Sequence, residues 1–271
     1  NHRNTIFDFA KFQRSATLFV SKMEAIMKLL KNLLFACAAS AFLFVNAAQA
    51  QVMWIDYSWK VEPQNEKKFI AAVEKFTESE TFSTFPGKMW FVAHTANGPN
   101  PTTHSFAVVY EKTEDFEATF RDLANSDEFD RFRKALSAAA EPVDEVVYTH
   151  VKGYGGHPID ATTYQVSLMA VSNPVGYLGA VDKLMRNEVM KGLPGGFDIW
   201  QIVAGGPPGA SHIVVFANNS FAESMNFNRE SAADPSFARD FAALGKFRTI
   251  LGSSWTTSPV KYGSSELNSI R

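Results

Sequence analysis

A seven-residue pattern occurs twice in this chain, at residues 98–104 and again at residues 206–212. Both copies read Gly-Pro, four variable residues and a histidine. An apolar, strand-like run follows each copy, at 106–110 and 213–216, and a helix-like segment comes next. A repeat on this scale indicates that two copies of one structural unit make up the fold. It does not indicate a chemistry.

Residues 1–50 comprise an upstream segment, at 1–22, and a stretch with the organisation of a secretory signal, which begins at Met23 or Met27. A basic stretch at 27–31 precedes an apolar run at 33–45, and Ala48-Gln49-Ala50 supplies the small residues that signal peptidase recognises. We predict cleavage after Ala50 and export to the periplasm or the exterior. A membrane anchor is one alternative, but the run is shorter than the roughly 20 apolar residues that a spanning helix needs. A lipoprotein modified at Cys37 is the other alternative.

Charge and cysteine content exclude several classes of partner. The chain has 26 basic and 28 acidic residues, a formal net charge of −2, and its basic residues form no stripe. Because nucleic-acid binding depends on clustered lysine and arginine, we expect no nucleic-acid partner. The only cysteine, Cys37, lies in the predicted signal, so the mature protein has no disulfide or thiolate metal site.

The repeat divides the predicted mature chain into two modules. The first covers residues 51–152 and the second covers residues 163–263, and a glycine-rich linker at 153–162 joins them. Residues 264–271 form a C-terminal tail. The predicted mature protein has no membrane span, and we expect a monomer or a homodimer.

Periodicity within each module gives the order of the elements. Residues 54–61 alternate between two faces, which is typical of a strand. A proline then begins a helix whose apolar residues recur at the spacing of one helical face, at 69–76 in the first module and 177–184 in the second. Two further strands and a helical segment follow, and a last strand then comes at 146–151 in the first module and at 254–257 in the second. The order β-α-β-β-α-β is that of the ferredoxin-like unit.

The strands of both modules are apolar on both faces. Val92, Val108, Ile199 and Val215 lie in such strands, so neither face of either sheet can be left in water. Helices cover one face, and the sister sheet is available for the other. We therefore predict an α+β fold in which two tandem ferredoxin-like β-α-β-β-α-β modules pack sheet to sheet as an α/β barrel.

This organisation resembles the dimeric α/β-barrel superfamily in its tandem, fused form. The resemblance extends over residues 52–262 and depends on element order and the repeated Gly-Pro-x4-His pattern. It implies any of several activities, because the superfamily includes monooxygenases, isomerases, haem peroxidases, chlorite-decomposing enzymes and stress proteins. Function must therefore be argued from the site.

Three residues are the candidate catalytic groups. His104 and His212 follow the same turn in both copies, so each is interpreted either as a base or ligand in the barrel or as a residue that the turn requires. Asp56 lies on the less apolar face of the first strand. If buried, its carboxyl would have a raised pKa and could act as a base.

Aromatic residues and two more histidines are the candidate ligand contacts. If His94 and His150 share the barrel-facing side with His104, a metal or haem site becomes possible, but no metal motif is present and we predict no metal. Haem is the cofactor that the resemblance implies, with His212 as the second-module histidine for iron. The candidate contacts are Trp54, Trp90, His94, Tyr148, His150, Trp200 and Trp255.

Two functions follow from the sequence. The first is an exported protein that binds a small apolar or aromatic molecule between its sheets, with no cofactor favoured. The second is a monooxygenase- or isomerase-like enzyme that uses His104, His212 or Asp56, with or without haem. No nucleophile elbow, phosphate loop or dinucleotide motif favours another enzyme class.

Overall fold

The computed structural model describes residues 51–156 and 161–263. The predicted signal, the middle of the predicted linker and the predicted tail lie outside these residues. Two modules with the same element order make up the described part. The first contains β1 (Met53–Val61), α1 (Glu66–Thr77), α2 (Glu80–Ser83), β2 (Lys88–Ala96), β3 (His104–Tyr110), α3 (Thr113–Ala124), α4 (Asp127–Ala139) and β4 (Ala140–Gly155). The second contains β5 (Thr163–Val171), α5 (Pro174–Met185), β6 (Gly196–Ala204), β7 (His212–Asn218), α6 (Phe221–Ala233), α7 (Pro235–Ala243) and β8 (Arg248–Tyr262).

The eight strands form one closed antiparallel barrel in the order β1-β3-β2-β8-β5-β7-β6-β4. Each module contributes a four-stranded ferredoxin-like sheet, β4-β1-β3-β2 and β8-β5-β7-β6. The sheets join where β2 pairs with β8 and where β4 pairs with β6. The predicted fold class is therefore confirmed, and closure leaves neither sheet with an unpaired edge.

Alternation along the strands produces three apolar layers. One set of side chains fills the barrel interior, whereas the other set packs under the helices of its own module. In β1, for example, Trp54 faces the interior and Ile55 faces the helices. The predicted helical stripes have the expected role, since Phe69 and Val73 of α1 and Tyr177 and Val181 of α5 are buried.

The last strand of each module is longer than its sequence predicts. Strand β4 was expected at 146–151 and extends over Ala140–Gly155, because its first half pairs with β1 and its second half pairs with β6. Its end extends into the predicted linker at 153–162, since Gly153, Tyr154 and Gly155 pair with β6. The predicted start of the linker is therefore corrected to lie after Gly155.

Helices in the described ranges are short. Within residues 51–156 and 161–263, none combines the length and the hydrophobicity needed to cross a bilayer.

Candidate functional site

The barrel encloses a cavity of about 350 Å³ between the two sheets. Inward-facing residues of the strands line it, and its wall is predominantly apolar. Ligand pockets in proteins typically measure roughly 300–1,000 Å³. The cavity is therefore large enough for a small organic molecule.

Aromatic rings from both modules form much of this wall. Trp54 of β1 stacks on Tyr148 of β4, with ring centroids 4.5 Å apart. Its other neighbour is Trp200 of β6, at 5.4 Å and nearly perpendicular. Trp90 and Tyr164 also line the cavity. Five of the predicted ligand contacts line the cavity: Trp54, Trp90, His94, Tyr148 and Trp200.

Asp56 is an acidic group in this apolar wall. It lies two residues after Trp54 on the same face of β1, and the Ser58 hydroxyl donates a hydrogen bond of 2.9 Å to its carboxylate. Burial raises the pKa of Asp56 to about 6, and the nearby charge of Asp144 adds to the rise, whereas hydrogen bonds from Ser58 and Ser105 oppose it. A carboxyl group with such a pKa can accept and release a proton near neutral pH.

His94 lies beside Asp56 through a shared serine. Its Nε2 is 3.1 Å from the hydroxyl of Ser105, the residue that also lowers the pKa of Asp56. Burial lowers the pKa of His94 to about 4, and the charge of His104 lowers it further, so the imidazole is neutral at physiological pH. Its Nδ1 is buried and has no hydrogen-bond partner among the residues that the structure describes. Ser105 therefore lies beside both the Asp56 carboxyl and the His94 imidazole.

A second acid and histidine lie on the wall formed by β4 and β6. His150 Nε2 is 3.0 Å from Asp198 Oδ1, and both side chains are buried. The His150 ring also packs against Trp200, with centroids 4.8 Å apart. Asp198 lines the cavity, and His150 contributes by holding its carboxylate.

Residues from two hairpins and from β4 line one end of the cavity. Asn97 and Asn100 come from the β2–β3 hairpin, Pro207 from the β6–β7 hairpin and Asp144 from β4. These residues, Ser105 and Asp198 are not among the contacts that the sequence predicts. The repeated Gly-Pro pattern was the available signal, because it placed both hairpins at equivalent strand ends.

His104 and His212 do not line the cavity. They begin β3 and β7 on the faces that pack under the helices, and both are buried. His104 lies between the rings of Phe69 and Phe91, with centroids 5.8 and 5.4 Å away. The prediction that these histidines act on a molecule inside the barrel is corrected, because strand alternation turns both away from it.

A hydroxyl before each histidine explains why both modules contain it. Nδ1 of His104 is 3.1 Å from the Thr103 hydroxyl, which also accepts a hydrogen bond from the Val61 backbone. In the second module, Nδ1 of His212 is 2.9 Å from the Ser211 hydroxyl, which accepts from the Val171 backbone. The pair ties the start of one strand to the end of another.

Trp255 is also placed outside the cavity. Its ring packs against Phe221 at the start of α6, with centroids 4.8 Å apart. Its neighbours Ser254 and Thr256 line the cavity, so strand alternation turns Trp255 to the outer face of β8. Its prediction as a ligand contact is corrected accordingly.

The cavity does not fit the haem arrangement that the sequence resemblance implies. That arrangement requires an iron-ligating histidine from the second module, and His212 lies on the opposite side of the sheet from the cavity. Among residues 51–156 and 161–263, no group of three or more His, Cys, Asp or Glu side chains is arranged to hold a metal ion.

Comparisons with solved structures identify the same fold. A proposed monooxygenase from Fusobacterium nucleatum subsp. nucleatum ATCC 25586 superimposes with a TM-score of 0.54 at 11% identity, over 80% of this chain and 97% of that one. An anthrone oxidase-like protein gives 0.54 at 13% identity, over 82% and 97%.

These similarities concern the fold. The protein has the dimeric α/β-barrel architecture in its tandem form, as the sequence predicts. No protein-family model matches the chain. No curated protein matches it either.

Proposed function

We propose that the protein binds a small apolar or aromatic molecule inside the barrel, between its two sheets. The cavity of about 350 Å³ carries this proposal, because packed protein interiors have few voids larger than a water molecule. Its apolar wall and few polar groups are typical of small-molecule sites.

The test is a titration with 2-naphthol, a small planar aromatic molecule. Val166 lines the cavity from β5, so Val166→Trp fills the space that the probe needs. Its neighbour Gln165 is on the other face of the same strand, and Gln165→Trp is the matched control. Calorimetry should show binding to the wild type and to Gln165→Trp, and at least a tenfold weaker binding to Val166→Trp. Equal affinities for all three proteins would contradict the proposal.

A second candidate function is proton abstraction from a bound aromatic molecule, as in an enzyme of the monooxygenase or isomerase kind. The observation that favours it is the Asp56–Ser105–His94 cluster at the cavity wall. The fold similarity to an anthrone oxidase-like protein suggests the probe. In this reaction Asp56 takes a proton from anthrone, and the carbanion reacts with O₂ to give anthraquinone and water.

Oxygen uptake with anthrone tests this second function. We expect uptake by the wild type that exceeds the uncatalysed rate, and a loss of about 10²-fold or more in Asp56→Asn, since a positioned base contributes on that order. Asp130→Asn removes a carboxylate on the exposed face of α4 and is the control. Equal rates for Asp56→Asn and the wild type would exclude Asp56 as the base.

Export remains part of the proposal. The basic stretch, apolar run and Ala48-Gln49-Ala50 support it. Expression of the whole chain in a bacterial host, followed by N-terminal sequencing of the periplasmic fraction, should identify Gln51 as the first residue. Intact chain confined to the cytoplasm would contradict export.

A further inference from the structure

The cavity has acidic groups from both modules. Asp56 and Asp144 line it from the first module and Asp198 lines it from the second. Among the described residues that line the cavity, none is lysine or arginine. A recess lined by one sign of charge and walled by apolar groups concentrates ions of the opposite sign. The field inside this barrel therefore favours positive charge.

Asp56 is the acidic residue that most needs a cation. Asp198 has His150 at 3.0 Å, whereas no ion pair in the described part of the chain includes Asp56. Its hydrogen bonds come from the Ser58 and Ser105 hydroxyls, which carry no charge. With a pKa of about 6, the carboxyl is ionised at neutral pH. An ionised carboxylate with restricted access to water is destabilising unless an opposite charge compensates it.

The rings beside Asp56 provide a second attraction for a cation. Trp54 lies two positions away on the same face of β1 and stacks on Tyr148, and Trp200 contacts Trp54 edge-on. The faces of tryptophan and tyrosine rings attract cations, most strongly where water is excluded. Ammonium groups with alkyl substituents suit such a site, because their weak hydration makes them easier to transfer from water.

We propose that the ligand of this cavity is an organic cation, in which an alkylated ammonium group lies between the Asp56 carboxylate and the Trp54 and Tyr148 rings. An apolar or aromatic group of the same molecule occupies the rest of the cavity. The inference rests on the proposed function, because it specifies the class of molecule that the cavity binds.

The test compares two probes of the same shape and different charge, phenyltrimethylammonium and tert-butylbenzene. Calorimetry at about pH 7.5, where Asp56 is ionised, should give at least about tenfold tighter binding of the cation. Equal affinity for the two probes, or tighter binding of tert-butylbenzene, would overturn the inference and leave the proposed function intact. No binding of either probe would contradict both.

Two variants test which residues cause the preference for the cationic probe. Asp56→Asn should bring the affinities for the two probes to within about twofold of each other, whereas Asp130→Asn on the exposed face of α4 should retain the wild-type ratio. Trp54→Leu removes a ring without changing the charge, and it should reduce the ratio severalfold. If circular dichroism shows that Asp56→Asn is unfolded, the probe affinities of Trp54→Leu test the inference instead. A wild-type ratio in folded Asp56→Asn or in Trp54→Leu would overturn the inference.

Discussion

Asp56 and His94 show how the barrel interior changes two side chains in opposite directions. Burial raises the pKa of Asp56 from 3.8 to about 6 and lowers that of His94 from 6.5 to about 4. Between these values the folded protein keeps a proton on Asp56 and none on His94, whereas the unfolded chain has the reverse. The two states bind the same number of protons at this pair, so its contribution to the pH dependence of stability nearly cancels.

Single substitutions should reveal the two opposing contributions. As the pH falls from 6 to 4, Asp56 stabilises the folded state, because the folded state takes up the proton first. Over the same range His94 destabilises it, because the unfolded state does so. Relative to the wild type, Asp56→Asn should lose and His94→Gln should gain about 2 to 3 kcal/mol in the free energy of unfolding from pH 6.5 to 4. Urea denaturation at a series of pH values measures both, and parallel curves for all three proteins would disprove the assignment.

The repeated histidines should affect stability and not binding. His104→Ala removes a ring that packs between Phe69 and Phe91 and contacts the Thr103 hydroxyl. We expect a loss of about 2 to 3 kcal/mol in the free energy of unfolding, as for other large-to-small changes in a core. The affinity for 2-naphthol should stay within about twofold. Weaker 2-naphthol binding without a loss of stability would show that His104 contributes to the binding site.

At this scale the sequence predicted the cavity wall better than its histidines. Period-two alternation placed Trp54 and Asp56 on one face of β1, and that face is the inner one. For His104, the repeat indicated that both modules need the histidine, but it did not indicate which face of the strand the side chain occupies. The inward side of β3 depends on its register with β1 and β2, and pairing register is a property of the whole sheet.

At the scale of elements, two glycines of the β6–β7 hairpin allow the cost of backbone strain to be compared with the added cost of a steric clash. Gly205 and Gly209 both have positive φ, 70° and 83°. A Cβ at Gly205 would collide with the carbonyl oxygen of Glu145 on β4, whereas a Cβ at Gly209 would meet open space.

The two alanine variants should therefore differ in stability. Gly209→Ala should cost about 1 to 2 kcal/mol, the usual penalty for positive φ in a residue with a Cβ. Gly205→Ala should cost clearly more, since β4 must also move. Thermal denaturation compares them, and equal losses would mean that the hairpin does not press against β4.

Short elements with clear periodicity were predicted, and the long strands were not. The stripes of α1 and α5 are visible from residue spacing alone. Strands β4 and β8 contain prolines and bulged pairings, which interrupt alternation, and each pairs with strands of both modules. Their full length is set by partners distant in sequence, so no local pattern predicts it.

At the scale of the whole molecule, closure of the barrel makes each module depend on the other. A protein containing only residues 51–156 would expose the inner face of its sheet, including Trp54, Trp90 and Tyr148, and leave the edges at β2 and β4 unpaired. We expect it to form a homodimer or to aggregate. Sedimentation would measure its oligomeric state, and a stable monomer would show that the first sheet is stable without the second.

The most direct test of the account is a crystal structure of the protein with 2-naphthol. If the molecule binds between the two sheets, electron density for the naphthol should appear inside the barrel, in contact with the rings of Trp54 and Trp200. A naphthol bound only on the helical surface, or an interior closed by repacked side chains, would contradict it.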